Sequence, residues 1–180
     1  MFALLVAVIY LSFISLGLPD SLLGSAWPVM RVEFNSPDSF ASIISITIGL
    51  GTIVSSLMSD RLTKRFGAGL VTAVSTGMTA LALFAFSLST QFWMLVVFAV
   101  PYGLGAGGVD AALNNYVALH LKSRHMSWLH CMWGVGASIS PYIMSYALSG
   151  GEGWNQGYFI VAVVQIVLTA ISFISLPLGK

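Results

Sequence analysis

Apolar residues run along this chain in six long stretches, separated by short clusters of charged, Gly, Pro, Ser and Asn residues. The stretches cover residues about 2–28, 39–59, 68–89, 92–118, 127–148 and 157–177. A helix that crosses a bilayer needs about 20 mostly apolar residues, and each stretch meets that length. With short connections they account for the chain. The pattern predicts an all-α membrane protein, a single six-helix transmembrane bundle over 1–180 with no soluble domain. The first stretch reads as a span and not as a signal peptide. Met1-Phe2-Ala3-Leu4 opens directly in apolar sequence without a basic leader, the apolar run is long, and further spans follow.

Composition narrows the function classes. Of the 180 residues 57% are hydrophobic and 7% charged, and the mean hydropathy is +0.92. Soluble domains carry about 25% charged residues. So few charges cannot cover a water-facing surface, which excludes a soluble enzyme and a disordered chain. A net charge of +1 supplies no basic field for nucleic acid. Cys131 has no second cysteine to pair with, and no Cys/His spacing suggests zinc. No metal or cofactor is expected.

Lys and Arg give the orientation, because they concentrate on the cytoplasmic side. Arg61, Lys64 and Arg65 fall between the second and third stretches, Lys122 and Arg124 between the fourth and fifth, and Lys180 after the sixth. Only Arg31 falls on the other side. Both termini are therefore expected in the cytoplasm, with the protein in the plasma or inner membrane.

A shift of 90 residues sets Gly17-Leu18-Pro19-Asp20 on Gly107-Gly108-Val109-Asp110, and Gly67 on Gly157. The first span then matches the fourth, and each carries one acid at the same place. The matched spans are offset by three, an odd number, so the two triplets are inverted in the membrane. Inverted repeats with a site at their interface characterise transporters.

Asp20 and Asp110 are the acids inside the apolar stretches. Glu33, Asp38, Asp60 and Glu152 sit in or beside loops. A charge at the bilayer centre costs about 2.5–3.5 kcal/mol or more, so such residues face a water-filled cavity or a partner. Burial disfavours the charged form of a carboxyl group, a property that proton carriers use. Asp20, Gly24 and Trp27 share one face of a continuous helix, at i, i+4 and i+7. A carboxylate beside an indole suits a sugar, with the acid on hydroxyls and the ring over an apolar pyranose face. The alternative for Trp27 is an interfacial anchor. Asp110 and Asn114 are also i, i+4, and Asn115 lies on an adjacent face. The alternative for the asparagines is interhelical hydrogen bonding. Pro19 and Pro101 loosen the helical ladder nearby. Gly103 to Gly108 literally contains G-x-G-x-x-G. It lies inside a span, without the strand and helix that a nucleotide fingerprint needs. It reads instead as a small-residue packing face. In the fifth span, His130 and Trp133 are i, i+3, and His130 serves as a proton relay or as a helix-end residue.

Between the second and third spans the chain reads Ser56-Leu57-Met58-Ser59-Asp60-Arg61-Leu62-Thr63-Lys64-Arg65-Phe66-Gly67. Asp60 is expected at the end of an apolar helix, where the helix dipole disfavours an acid and calls for a partner. This segment resembles the G-x-x-x-D-R-x-G-R-R motif of the major facilitator superfamily. Asp60, Arg61, Lys64 and Arg65 match it, while Ser56 and Thr63 replace its glycines. The resemblance implies a conformational latch at Asp60, supported by Arg61, Lys64 and Arg65, that holds two transporter halves together. The family's span-four arginine is missing near Ala99. Ser140-Pro141 departs from its antiporter motif, which argues against drug/proton antiport.

Within that family the chain is most similar to the fucose/galactose/glucose:proton symporters. The carriers are Gly17-Leu18-Pro19-Asp20 with Gly24 and Trp27-Pro28, Gly107-Gly108-Val109-Asp110 with Asn114, and Trp128-Leu129-His130 with Trp133-Gly134. The resemblance covers the first six of the family's twelve spans. It implies proton-coupled uptake of a sugar-like polar solute, with proton and sugar roles at Asp20 and Asp110. It also implies a second six-helix bundle, supplied by a C-terminal half or by another copy. Efflux or facilitated transport of another small molecule, and a non-transporting assembly or regulatory subunit, are the alternatives. An intramembrane serine protease is disfavoured, because Ser138, Ser140 and His130 all fall within one span.

Overall fold

The computed structural model describes residues 2–179, so Met1 and the expected basic residue Lys180 lie outside the described residues. The chain is helical from end to end. The helices are α1 (Phe2–Gly17), α2 (Leu22–Glu33), α3 (Phe40–Phe66), α4 (Ala68–Ser87), α5 (Phe92–His120), α6 (Ser123–Ser149) and α7 (Trp154–Ile174), followed by a 3-10 turn over Leu176–Gly179. Together α1 and α2 form the first span, interrupted at Leu18–Ser21, and α3 to α7 form one span each.

Among the described residues five stretches are long and apolar enough to cross a membrane on that basis alone: Phe2–Glu33, α3, α4, α5 and α7. At 27 residues α6 is as long as α3, which at about 1.5 Å per residue exceeds the hydrocarbon core. Its first turns carry Ser123, Arg124, His125, Ser127 and His130, which makes it the least apolar span. It packs along α1. The outer surface of the bundle is apolar, with Leu57, Leu81, Leu119 and Ile174 at 70% or more exposure, as lipid requires and water would penalise.

The helix packing bears out the inverted repeat. The first span packs on the fifth (α1 on α6), and the fourth packs on the second (α5 on α3). Each triplet thus leans its first span on the other's second. The matched glycines make the two contacts possible. A side chain on Gly17 would run into the backbone carbonyl of Trp133 on α6, and one on Gly107 would lie 2.6 Å from the carbonyl oxygen of Thr52 on α3. Neither contact leaves room for a Cβ. Several interior hydroxyls are satisfied within their own helices, as when Thr76 donates to the Thr72 carbonyl oxygen at 2.8 Å and Ser12 to that of Val8 at 2.9 Å, whereas the buried hydroxyls of Thr72 and Ser140 have no partner among the described residues.

The start of α1, the α3–α4 junction, the end of α5 and the end of α7 gather around one cavity of about 690 Å3. This is the end that carries the clustered Lys and Arg residues. The opposite end is tied by Trp154 Nε1 donating to Glu33 Oε2 at 2.5 Å and by Asn155 Nδ2 donating to the Ser87 carbonyl at 2.8 Å.

Two expectations need correction. The basic segment after the second span is no loop, because α3 runs through Phe66 and Asp60 to Arg65 are helical. Arg61, Leu62, Lys64 and Arg65 favour helix, and Lys64 Nζ pairs with Asp60 Oδ2 at 2.7 Å, one turn apart. The helix stops only at Gly67, whose φ of +86° excludes other residues without strain. Asp60 is therefore well inside the helix, and the dipole argument for a missing partner does not apply. The first span is also not one continuous helix. Pro19 lacks the N–H that would bond the Ser15 carbonyl. Gln165 of α7 donates its Nε2 to that carbonyl instead, which holds the break in place.

Candidate functional site

Asp20 sits in the break between α1 and α2, at the meeting point of three spans. Its two carboxylate oxygens have different partners. Tyr102 of α5 donates its hydroxyl to Oδ1 at 3.1 Å. Trp133 of α6 donates Nε1–H to Oδ2 at 2.8 Å. Two ion pairs occur among the described residues, Arg31–Asp38 and Lys64–Asp60. Neither involves Asp20 or Asp110, so both membrane acids are without a cationic partner there.

Asp110 lies in the unbroken part of α5 and is half-buried. Asn114, one turn on, donates Nδ2–H to its Oδ1 at 2.9 Å and to its carbonyl oxygen at 2.8 Å. His130 of α6 is exposed and packs edge-on against Phe13. It stands three residues before Trp133 on the same helix. Asp20 with Trp133, and Asp110 with Asn114, form two hydrogen-bonded polar pairs on the α1–α2 break, α5 and α6, with His130 beside Trp133 on α6. Together they offer two proton acceptors, an imidazole, an amide and an exposed indole face.

Two expected members are elsewhere. Trp27 is 6% exposed, donates its indole N–H to the Asp38 carbonyl at 3.1 Å and packs on Phe92. The expected Asp20–Trp27 pair is not formed, because the break at Leu18–Ser21 removes the continuous helical spacing that it required. Trp133 is the indole that meets Asp20. Asn115 is exposed and lines the cavity at the basic end, away from the Asp20 group. Of the expected latch residues, Asp60 and Lys64 line that same cavity. The Arg65 guanidinium lies 5.3 Å from the centre of the Phe66 ring.

Tyr102 and Tyr158 escaped the sequence reading. Tyr102 is 3% and Tyr158 4% exposed, and both line a cavity of about 380 Å3 that includes Asp20. The one signal in the sequence was a hydroxyl-bearing aromatic next to Pro101.

Comparison with known proteins follows the same lines. The family model of the Major Facilitator Superfamily matches residues 9–179. Bypass of stop codon protein 6 of Saccharomyces cerevisiae is 25% identical over 165 residues, 89% of this chain and 33% of that protein. The glucose/mannose transporter GlcP of Bacillus subtilis is 22% identical over 161 residues, 88% of this chain and 40% of that protein. The multidrug efflux pump SdrM of Staphylococcus aureus is 23% identical over 176 residues, 93% of this chain and 38% of that protein. The chain thus spans between a third and two fifths of the length of these relatives. Six helical spans in two inverted triplets, with the family match running through nearly all of them, make this chain a member of the Major Facilitator Superfamily.

Proposed function

We propose that this chain forms the first six-span half of a secondary transporter that couples protons to the movement of a small polar solute. The solute is sugar-like, as the similarity to the fucose/galactose/glucose:proton branch implies and as the name of the glucose/mannose relative favours. The observation that carries the reading is Asp20, a membrane acid without a cationic partner among the described residues, held by one donor from each of two other spans. Protonation of Asp20 removes an acceptor site and so alters the tie between the α1–α2 break, α5 and α6. A tie between spans that depends on a proton is what alternating access requires. Asp110, with Asn114 beside it and His130 on α6, takes the second proton or solute position, and the exposed Trp133 ring offers a sugar face.

The second six-helix bundle closes over these polar pairs. It comes from a C-terminal half or from another copy. The exposed Asp60–Arg65 turn latches against it. The gathering of Lys and Arg at one end supports a cytoplasmic position for both termini. The process involves binding and conformational change with no covalent chemistry, so the protein is a transporter and not an enzyme.

The test is proton-driven uptake in proteoliposomes. Asp20→Asn and Asp110→Asn are expected to abolish or uncouple uptake while the protein still inserts. Normal uptake by both variants would refute the assignment. A second reading, efflux or facilitated transport, is favoured by the apolar walls of the cavity beside Asp20. The direction of proton flux during transport separates the two. A complete lack of flux would mark a non-transporting subunit.

A further inference from the structure

Trp133 meets Asp20 on one side. On the other side, inside the half-bundle, is the cavity of about 380 Å3, within the about 300–1,000 Å3 range of ligand pockets. It lies between α2, α3, α4, α5 and α7, and it opens where Gly24 and Ser45 are exposed. Most of its wall is aliphatic, including Leu23, Ile44, Ile48 and Leu83. A sugar would leave most of its hydroxyls unpaired against such a surface, at a cost of about 1–3 kcal/mol for each buried group.

The polar features converge at one end. Asp20 presents Oδ1 there, already bonded to Tyr102. Tyr158, although 4% exposed, makes no side-chain hydrogen bond among the described residues, and its side chain lines the cavity. The aromatic rings group here as well. Phe86 lies 6.2 Å from Tyr102 and 5.6 Å from Tyr158, centre to centre. The result is a carboxylate with no cationic partner among the described residues, grouped with two tyrosine hydroxyls and three aromatic rings on the wall of an apolar chamber.

We propose that this chamber binds a compact organic cation, a primary amine on an apolar body. The ammonium would sit against Asp20, with the aromatic rings within cation–π reach, and the hydrocarbon would fill the aliphatic end. An amine there neutralises Asp20 in place of a proton. The proposal rests on the reading of Asp20 as a membrane acid available for binding. It goes beyond that reading by adding a second ligand class on the inner side of that residue.

The protein in lipid nanodiscs is titrated calorimetrically with 4-phenylbutylamine and with its neutral counterpart, 4-phenyl-1-butanol. Saturable amine binding, at least about tenfold tighter than the alcohol, is expected, since hydrogen bonds to charged groups are worth about 1.5–3 kcal/mol. Gly24→Leu adds bulk at the mouth of the chamber, where a Cβ meets nothing within 4 Å. It is expected to weaken the amine at least tenfold, as is Asp20→Asn. Tyr158→Phe, which keeps the ring, is expected to weaken it less. Circular dichroism and thermal melting establish that each variant is folded. Equal binding of amine and alcohol would overturn the proposal in favour of simple apolar partition. Amine binding unaffected by Gly24→Leu would place the ligand on the open face and overturn it as well. Amine binding without any proton-coupled flux would refute the coupling role and leave the chamber standing. Coupled flux with no amine binding would do the reverse.

Discussion

The bond between Trp133 and Asp20 can be weighed directly. A double-mutant cycle combines Asp20→Ala with Trp133→Phe, so that losses of ring area and side-chain volume cancel and the coupling remains. The Nε1–Oδ2 separation of 2.8 Å falls in the about 2.7–2.9 Å range of charge-assisted bonds. Such bonds contribute about 1.5–3 kcal/mol in soluble proteins. Interhelical bonds in a bilayer average about 0.6 and reach about 1.7 kcal/mol, because the unfolded helices also find partners in the membrane. Trp133 is 40% exposed, which lets competing groups reach it and keeps the value below the soluble-protein range, while the carboxylate acceptor raises it above the membrane average. The expected coupling is about 1–1.7 kcal/mol, near the top of the membrane range. That corresponds to roughly 5- to 16-fold in the unfolding equilibrium constant. The assay is reversible unfolding in mixed micelles, followed by circular dichroism. A coupling within the about 0.3–0.5 kcal/mol shown by independent sites would refute the reasoning. The carboxylate would then not be held by α6 in the way its geometry implies.

Further outcomes follow from single positions. Gly107→Leu places a side chain 2.6 Å from the Thr52 carbonyl oxygen and 2.8 Å from its Cα. It is expected to cost at least about 1–3 kcal/mol by overpacking, read as a lowered melting temperature, whereas Gly24→Ala should leave the melt unchanged. Gly67→Ala forces a side chain into φ +86°, ψ 149°, at about 1–3 kcal/mol of strain, again read in the melt. Trp154→Phe removes the 2.5 Å bond to Glu33 and is expected to lower stability by about 1 kcal/mol. Lys64→Ala breaks an exposed i,i+4 pair worth at most about 0.5 kcal/mol, so the melt should not move measurably.

The spans and their number came directly from the sequence because a bilayer imposes a length of apolar residues that no other environment requires. Five stretches carry that signal alone. The remaining one, the fifth span α6, is weaker in composition because its first turns carry Ser123, Arg124, His125, Ser127 and His130. The repeat was legible from Gly17 and Gly107, since a glycine at a helix crossing cannot be replaced and leaves a mark at fixed spacing. Asp20 and Asp110 stood out because a carboxylate in an apolar run has few structural uses.

Which groups meet those acids was a different matter. Trp27 was chosen by helical spacing, and that spacing fails at the Pro19 break, where the helix ends and restarts. Trp133 and Tyr102 reach Asp20 from 113 and 82 residues away, a separation that periodicity cannot bridge. Tyr158 looked like any aromatic in an apolar stretch. Its free hydroxyl acquires meaning only in the chamber that five helices build around it. Asp60 looked like a helix end until the i,i+4 pair with Lys64 and the stop at Gly67 extended α3. The sequence by itself determined the medium, the spans, the repeat and the two acids, because each follows from local composition or fixed spacing. Only the tertiary structure decided the partners of Asp20 and the shape of the cavity, because both arise where helices distant in sequence converge.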